Sequence, residues 1–246
     1  MTDHDIALAL LAAHRGAPSI AATAIADEAQ AYRIQALVMA ELGPIGGWKV
    51  GAPGPDAPAN CAPMPASGLF AAPHDFDSAQ FTQREVESEI CFRLAHDLPP
   101  REAPYTGADI VAAIESCHPG IEILQSRFAA PDSVGALCLL ADFIQTGAYV
   151  IGAPVAGWQS IDFPSLGITQ TIAGGPTITR TGNPAGDMVR LMVWLANTGS
   201  AWAGGLRAGQ IVTCGSWTGK TPVPAGGDVV AAFEGARPVA VRFSPG

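Results

Sequence analysis

The chain has 246 residues, of which 48% are hydrophobic and 14% are charged, so it can bury a sizeable core and is not a disordered protein. Its formal net charge of -9 argues against nucleic acid as a partner, because a nucleic-acid-binding protein needs a basic surface. The high content of glycine (28) and proline (21) predicts many turns and short strands rather than a helical bundle.

The sequence predicts no membrane partner and a cytoplasmic location. No apolar run approaches the roughly 18 to 20 residues that a membrane-spanning helix needs. The N-terminal stretch is acidic at its start, which indicates an amphipathic helix rather than a signal peptide. The five cysteines are scattered and form no CxxC pair, which is typical of free thiols in a reducing compartment and not of a zinc site.

The first part of the chain has helical character. Apolar periodicity predicts one helix that ends at RGAPS, and Ser19 is expected to cap a second helix through ADEAQAYRIQALVMAEL. Glycine and proline then interrupt the pattern. We therefore expect two units, a helical N-terminal segment over residues 1–45 and a β-rich catalytic domain over residues 46–246.

The rest of the chain alternates short strands with turns. Residues 51–68 are rich in Pro, Ala and Gly, which predicts an irregular loop. Two helices are predicted, in GADIVAAIESCH and PAGDMVRLMVWLANTGSAW. Strands are predicted in WKVG, EVESEICFRL, GIEILQSRF, TGAYVIGAPV, SLGITQTIAGG and GQIVTCGSWTG, with a closing hairpin in GDVVAAFEGARPVAVRF. This order of elements indicates an α+β fold.

Three glutamates are candidate metal ligands. In a strand, Glu87 and Glu89 project to the same face, where two partly buried carboxylates repel each other unless a cation lies between them. Glu122 lies between Ile121 and Ile123 and points away from them, so it becomes a third ligand if its strand neighbours the first. The spacing alone leaves open a solvated edge strand.

Lys49 is the candidate cation next to these carboxylates. It follows a glycine-rich turn in GGWKVG, where a lysine either extends its ammonium to solvent or faces the glutamates. Three glutamates, one lysine and one divalent cation sum to zero charge. The hard oxygen ligands favour Mg²⁺ or Mn²⁺, and the open side of such an ion would favour a 2-oxo acid, chelated through its carboxylate and keto oxygens.

Four further residues are candidate site residues, and for each the sequence allows either a structural or a functional role. His118 is either structural or a proton carrier. Arg127 either forms an ion pair or grips a substrate carboxylate. Ser216 and Thr218, in the CGSWTG turn, either bind an anion together with backbone N–H groups or only shape the turn.

Several sequence blocks, in this order, together resemble the fumarylacetoacetate hydrolase superfamily, and more closely its 2-keto-4-pentenoate hydratase branch. The blocks are GGWKVG, VESEICFRLAHDLP, AIESCHPGIEILQSRF, ADFIQTGAYVIG, GLRAGQIVTCGSWTG and GGDVVAAFEGARPVAVRF. The resemblance implies a mixed β-roll core with a helical N-terminal segment, and a homo-oligomer, dimeric or larger. It also implies Mg²⁺ or Mn²⁺ held at the matching positions Glu87, Glu89 and Glu122, with Lys49 next to the substrate.

The chain departs from the branch at two places. A DFG or DYG motif, whose aspartate helps in proton transfer in the branch, is replaced in CAPMPASGLF by Pro65, Ala66 and Ser67. The common ADN motif reads ADF, with Phe143. Neither change affects the three glutamates. The missing aspartate, however, makes hydration less favoured as the reaction, relative to other reactions of a 2-oxo acid.

The leading functional hypothesis is a metal-dependent lyase. It would add water to a 2-hydroxy-dienoate, or its 2-oxo-enoate tautomer, and form a 4-hydroxy-2-oxo acid. The alternatives are C–C bond hydrolysis of an acylpyruvate or 1,3-dicarbonyl acid, and decarboxylation of a 2-oxo-enedioate. A non-catalytic binding protein is the reading that the sequence favours least, because Lys49 occurs together with all three glutamates.

Overall fold

Two helices open the chain, and three shorter ones lie among the strands. In the computed structural model, which describes residues 1–245, the helices are α1 (Asp3–His14), α2 (Glu28–Leu42), α3 (Gly107–Ala113), α4 (Ala136–Ala141) and α5 (Met188–Trp194). Within these residues, no helix combines the length and the apolar character needed to cross a membrane.

The N-cap of α2 is Asp27, whose side chain accepts a hydrogen bond from the backbone N–H of Gln30. The prediction that Ser19 caps this helix is therefore wrong. The segment between the two helices is not helical; its Ile20 forms a β-bridge with Phe128 instead. This bridge, to a residue that lies outside the strands, holds Ile20 in an extended conformation, so α2 begins only at Glu28.

Thirteen strands form two mixed sheets within residues 1–245. The strands are β1 (Ile45–Gly51), β2 (Asn60–Pro65), β3 (Leu69–Ala71), β4 (His74–Phe76), β5 (Glu85–Leu94), β6 (Ile114–Leu124), β7 (Thr146–Ile151), β8 (Gly167–Ile172), β9 (Thr177–Thr181), β10 (Ile211–Ser216), β11 (Thr221–Pro222), β12 (Asp228–Phe233) and β13 (Val239–Phe243). The larger sheet has the order β2-β1-β10-β5-β6-β7-β3, with β11 paired to β5, and the smaller sheet has the order β4-β13-β12-β8-β9.

Two secondary-structure predictions need correction. The region 51–68 is not all loop, because Asn60–Pro65 forms β2 and pairs with β1; its prolines are accommodated on a strand that has only one neighbour in the sheet. The helix predicted in GADIVAAIESCH ends at Ala113, since from Ile114 the chain pairs with β5 as strand β6. Long-range strand pairing has overridden local helix propensity there.

The main core lies between the two sheets. Alternate side chains of β5, among them Ile90 and Phe92, are buried in it together with side chains of β12 and β13 such as Phe233 and Val241. Ile90 and Phe92 thus anchor the strand on the face opposite to the glutamates, as the alternation in the sequence predicts.

The other face of the larger sheet is covered by the N-terminal helices and by α4. Side chains of α1, α2 and α4 form a second apolar cluster, which includes Ala62 of β2 as well as Phe128 and Phe143. The predicted fold class, a mixed β-roll core with a helical N-terminal segment, is confirmed. The division into units at residue 45 stays a prediction.

Candidate functional site

The three predicted glutamates meet on the face of the larger sheet that points away from the main core. Glu87 of β5 lies directly opposite Glu122 of β6, and Glu89 lies opposite Gly120. One carboxylate oxygen from each glutamate lies within 4.8 Å of the other two. Glu89 and Glu122 are fully buried, so the cluster is not the solvated edge of a strand.

Lys49 completes the charged cluster. On β1 its neighbours Trp48 and Val50 enter the main core, so the alternation of the strand turns Lys49 toward the glutamates. Its Nζ donates hydrogen bonds to Glu122 Oε1, at 2.6 Å, and to the backbone oxygen of Ile144, at 3.1 Å. The ammonium is therefore directed into the cluster and not toward solvent.

Burial and mutual repulsion perturb the titration of the cluster. Burial, and next the charge of Glu122, raise the pKa of Glu87 to about 7. The same two causes raise the pKa of Glu89 well above its usual value. Burial alone would lower the pKa of Lys49, but attraction to the three glutamates outweighs it and raises that pKa. Negative charge is thus in excess in this cluster.

The residues present fit a divalent cation. Glu122 Oε2 is buried and has no hydrogen-bond partner among residues 1–245, although a buried carboxylate oxygen is costly to leave unpaired. Glu87 and Glu89 add hard anionic oxygens within reach of the same point. Three carboxylates with no nitrogen or sulfur donor suit Mg²⁺ or Mn²⁺ better than a thiophilic metal.

Hydrogen bonds from neighbouring strands orient two of the carboxylates. The Thr146 hydroxyl lies 3.0 Å from Glu122 Oε1. Thr213 of β10 donates to Glu89, and Tyr149 Oη in turn donates to Thr213 Oγ1 at 3.1 Å. These neighbours restrict the rotamers of the glutamates and so hold the cluster in one arrangement.

Gly120 makes room for this support. The Tyr149 ring lies across the glycine, and a Cβ at position 120 would stand 2.2 Å from Tyr149 Oη. A larger residue would have to displace the ring. The HPGIE stretch of β6 therefore needs glycine at this position for packing.

The cluster borders a cavity of about 320 Å³. The cavity lies against Lys49, Glu87 and Glu89, and its other walls include β2, α4, β10 and the segment after α4. The remaining lining residues are Val50, Gly51, Asn60, Leu124, Leu139, Ile144, Gln145, Gly215, Ser216 and Lys220.

A strained turn closes one side of this cavity. Phe143, Ile144 and Gln145 are three successive non-glycine residues with positive φ, of 51°, 51° and 64°, a conformation that β-branched residues such as Ile144 rarely adopt. The turn directs the Ile144 carbonyl to Lys49 and places Gln145 in the cavity wall. Strain of this kind is concentrated at functional sites in proteins.

Of the four further candidates, Ser216 alone lines this cavity; its Oγ accepts a hydrogen bond from the backbone N–H of Gly219 at 2.9 Å. Thr218 points to the other side of the turn, where its hydroxyl accepts a hydrogen bond from the backbone N–H of Ser88.

His118 and Arg127 are also apart from the cavity. His118 lies within β6, and its Nδ1 and Nε2 lie 2.9 Å from the Gly152 oxygen and 2.8 Å from Ser116 Oγ. Burial lowers the pKa of this imidazole.

Arg127 is fully engaged in a buried ion pair. Its Nε donates to Asp142, and its two terminal nitrogens donate to the backbone oxygens of Thr146 (2.6 Å) and Asp142 (2.7 Å). Burial raises the pKa of the Asp142 carboxyl, while the guanidinium opposes that shift. Of its two readings from the sequence, the ion pair is the one that agrees with these contacts.

The structure adds residues that the sequence did not single out. Asn60, Gln145 and Lys220 line the cavity. The sequence contained one indication that Lys220 deserves notice: the chain has only two lysines, at positions 49 and 220. None of the residues 65–67, where the resemblance to the hydratase branch implies an aspartate, lines the cavity.

The chain is similar to curated hydratases. It is 30% identical over 135 residues to a 2-keto-4-pentenoate hydratase of Paraburkholderia xenovorans (strain LB400), which covers 54% of this chain and 49% of that protein. It is 29% identical over 174 residues to a 2-hydroxyhexa-2,4-dienoate hydratase of Comamonas testosteroni, covering 68% and 62%. The chain thus spans about half to three fifths of the length of these relatives. No protein-family model matches it.

The fold is similar to that of a 4-oxalocrotonate decarboxylase from Pseudomonas putida G7, solved as a complex with magnesium and adipate. The TM-score is 0.85 at 19% identity, over 99% of this chain and 98% of that one. This match shows a shared fold, and the names of the curated relatives agree with the hydratase branch that the sequence resembles.

Proposed function

We propose that the protein is a metal-dependent hydratase that adds water to a 2-hydroxy-dienoate, or its 2-oxo-enoate tautomer, to give a 4-hydroxy-2-oxo acid. The observation that carries the proposal is the meeting of Glu87, Glu89 and Glu122 with the Lys49 ammonium next to a cavity. The named activity of the curated relatives supports it.

Glu87, Glu89 and Glu122 would hold Mg²⁺ or Mn²⁺. A bound divalent cation supplies Lewis-acid polarisation of the 2-oxo group of a substrate. The carboxylates neutralise the cation, and Thr146 and Thr213 keep two of them oriented. The magnesium complex of the structural relative supports this choice of ion.

Lys49 would be the proton carrier of the site. Attraction to the glutamates raises its pKa, so Nζ holds a proton at neutral pH. In that form it can stabilise negative charge on the substrate or deliver a proton to it. Its bond to the Ile144 carbonyl fixes the direction in which the ammonium points.

Among the other candidates, Ser216 would contact substrate, because it lines the cavity. His118, Arg127 and Thr218 would act structurally, because each is already engaged by protein groups. Lys49 would then replace the missing family aspartate as the proton donor.

Decarboxylation of a 2-oxo-enedioate is a second candidate reaction. The absence of a carboxylate at positions 65–67 removes a group that the family uses for proton transfer during hydration. The same chelating end of the cavity would serve both reactions, because both need negative charge stabilised on the 2-oxygen.

An assay read by mass tests the proposed reaction. The protein is incubated with 2-hydroxypenta-2,4-dienoate, 2-hydroxymuconate or an acylpyruvate, in Mg²⁺ and in EDTA. Hydration adds the mass of one water to a dienoate, only when the metal is present. Loss of carbon dioxide would favour the decarboxylase, two fragments from the acylpyruvate would favour the C–C hydrolase, and no conversion of any substrate would favour a binding protein.

We further propose that the protein is cytoplasmic and forms a homo-oligomer, dimeric or larger. The first proposal is supported by the cysteines, all five of which are free and buried. The second rests on the family resemblance alone. Cell fractionation and light scattering of the purified protein test the two statements.

A further inference from the structure

Arg127 binds both ends of the strained turn. One terminal nitrogen of its guanidinium donates to the backbone oxygen of Asp142, directly before the turn, at 2.7 Å. The other donates to the backbone oxygen of Thr146, directly after the turn, at 2.6 Å. The three residues between these ends, 143–145, are those with positive φ. The planar guanidinium thus sets the distance between the two ends of the turn.

The Asp142 carboxylate keeps this guanidinium in place. It accepts a hydrogen bond from Arg127 Nε, and its Oδ2 accepts two more, from Ser126 Oγ and from the backbone N–H of Arg127, each at 2.9 Å. Both charged side chains are buried, so water does not compete for these bonds. Because a guanidinium is planar and its donors have a fixed geometry, Arg127 is a rigid restraint on the turn.

The turn needs a restraint, because its sequence does not favour its conformation. It contains no glycine, and successive non-glycine residues with positive φ persist only where surrounding contacts hold them. The Phe143 side chain is held in the second apolar cluster, while Arg127 holds the backbone at both ends. Without Arg127, we expect the backbone of the turn to relax toward negative φ.

The turn contacts both members of the Lys49–Glu122 pair. The Ile144 carbonyl accepts a hydrogen bond from Lys49 Nζ at 3.1 Å, and the Thr146 hydroxyl lies 3.0 Å from Glu122 Oε1. The Ile144 carbonyl belongs to the middle residue of the turn, so a change of φ there would redirect it. The Lys49 ammonium would then lose one of its two acceptors and point in a different direction.

We propose that Arg127 is a positioning residue of the site, which orients the Lys49 ammonium by holding the turn between Asp142 and Thr146. This inference rests on the proposed function, in which Lys49 is the proton carrier. Arg127 does not line the cavity, so it acts on the reaction through Lys49 and not by contact with the substrate.

Nuclear magnetic resonance of the lysines tests the inference without turnover. The chain contains only two lysines, so protein labelled with ¹³C at lysine Cε gives two lysine signals, and Lys49→Met identifies that of Lys49. The variant that combines Arg127→Met with Asp142→Leu removes the restraint and leaves neither buried charge unpaired. In Mg²⁺, the Lys49 signal of this variant should move from its wild-type position by more than its line width.

Val229→Ala is the matched control for a general loss of stability. Val229 is fully buried in the main core, on strand β12 of the smaller sheet. Its truncation leaves a cavity in the core and destabilises the fold without touching the turn. The Lys49 signal of this variant should stay at its wild-type position, which separates a displaced ammonium from a weakened fold.

Arg127→Lys is the second variant, in case the combined variant does not fold. It keeps a cation opposite Asp142, but a lysine ammonium is a single point of charge and cannot span both ends of the turn as the planar guanidinium does. The Lys49 signal should therefore move here as well. The spectrum gains a third lysine signal, and Lys49→Met in the same background again identifies that of Lys49.

Steady-state kinetics give a second readout in an active protein. In either Arg127 variant, kcat should fall about 10- to 100-fold, because a reacting group displaced by about 1 Å can cost that much. KM should change less than about threefold, because loss of a contact made only in the transition state leaves substrate binding intact.

The inference is overturned if the Lys49 signal keeps its wild-type position in a folded Arg127 variant, if it moves equally far in Val229→Ala, or if an Arg127 variant retains the full kcat. Failure of the proposed function is seen separately, as a wild type that converts none of the unsaturated substrates. The position of the Lys49 signal does not depend on turnover, so it decides whether Arg127 orients Lys49 in either case.

Discussion

Lys49 Nζ donates a hydrogen bond of 2.6 Å to Glu122 Oε1, although their strands β1 and β6 are separated in the larger sheet by β10 and β5. The Lys49 and Glu122 side chains reach toward each other over these strands, on the face that carries Glu87 and Glu89. A cation thus lies within a site that would also hold a divalent metal. Replacement of Lys49 should therefore affect catalysis and metal binding differently.

Lys49→Met should lower kcat by about 100-fold or more, because it removes the proposed proton carrier. It should not weaken Mn²⁺ binding, since it removes a positive charge that competes with the metal for the glutamates. Steady-state kinetics and a Mn²⁺ titration of the same preparation check both statements. A variant with full turnover, or one that loses turnover only because it loses metal, would contradict the catalytic role.

Gly120→Ala should destabilise the protein by about 1–3 kcal/mol, because the added methyl overlaps the Tyr149 hydroxyl. Displacement of that ring should also weaken Mn²⁺ binding through Thr213 and Glu89. Urea unfolding measures the first effect and calorimetry the second. Gly54→Ala is the control, because a Cβ there meets no atom within 4 Å. Equal stability of the two variants would show that the ring moves at no cost.

Asp142→Asn should cost about 3–5 kcal/mol of stability, because it leaves the buried Arg127 guanidinium without its counter-charge. Joint replacement, Arg127→Met with Asp142→Leu, should recover part of this loss, since neither charge then remains unpaired. Urea unfolding of Arg127→Met, Asp142→Leu and the double variant gives the coupling energy. Asp228→Asn, in an exposed ion pair, should change stability little. Additive losses in the two single variants would argue against a coupled pair.

The charged centre of the site was predictable from the sequence because it depends on local alternation. The i, i+2 spacing of Glu87 and Glu89, and the apolar neighbours of Glu122 and Lys49, determine which face each side chain takes. Which strands are neighbours in the sheet depends on the whole chain. From the sequence, the meeting of the three glutamates could therefore be predicted only on the condition that the two strands are adjacent.

The parts that the sequence did not predict depend on long-range pairing or on backbone strain. β2 is poor in β-formers and is a strand because β1 pairs with it, and β6 begins at Ile114 because β5 pairs with it. The place of Gln145 in the cavity wall depends on its positive φ, which no residue type in ADFIQTG indicates. Arg127 had two readings because its partner, Asp142, is fifteen positions away.

His14 should make the protein less stable in acid. Burial, and next the charge of Arg127, lower the pKa of its imidazole to about 2. Below about pH 6.5 the unfolded chain binds a proton that the folded chain does not, so stability falls as the pH falls. By about pH 5 the stability lost through His14 reaches roughly 1–2 kcal/mol.

His14→Gln should flatten this part of the pH profile, as measured by urea unfolding at several pH values. His4→Gln, at an exposed position of the same helix, is the matched control and should keep the wild-type profile. A profile that is equally steep in the wild type and in His14→Gln would assign the acid sensitivity to other groups.

The central claim, that Glu87, Glu89 and Glu122 hold one divalent cation next to Lys49, is tested most directly by a Mn²⁺ titration of four proteins. The wild type should bind one ion per chain. Glu87→Gln and Glu122→Gln should weaken binding by more than the roughly 10- to 100-fold that loss of an outer supporting residue causes. Glu85→Gln, on the same strand but outside the cluster, should bind as the wild type does. Unchanged affinity in Glu122→Gln, or an equal loss in Glu85→Gln, would contradict the claim.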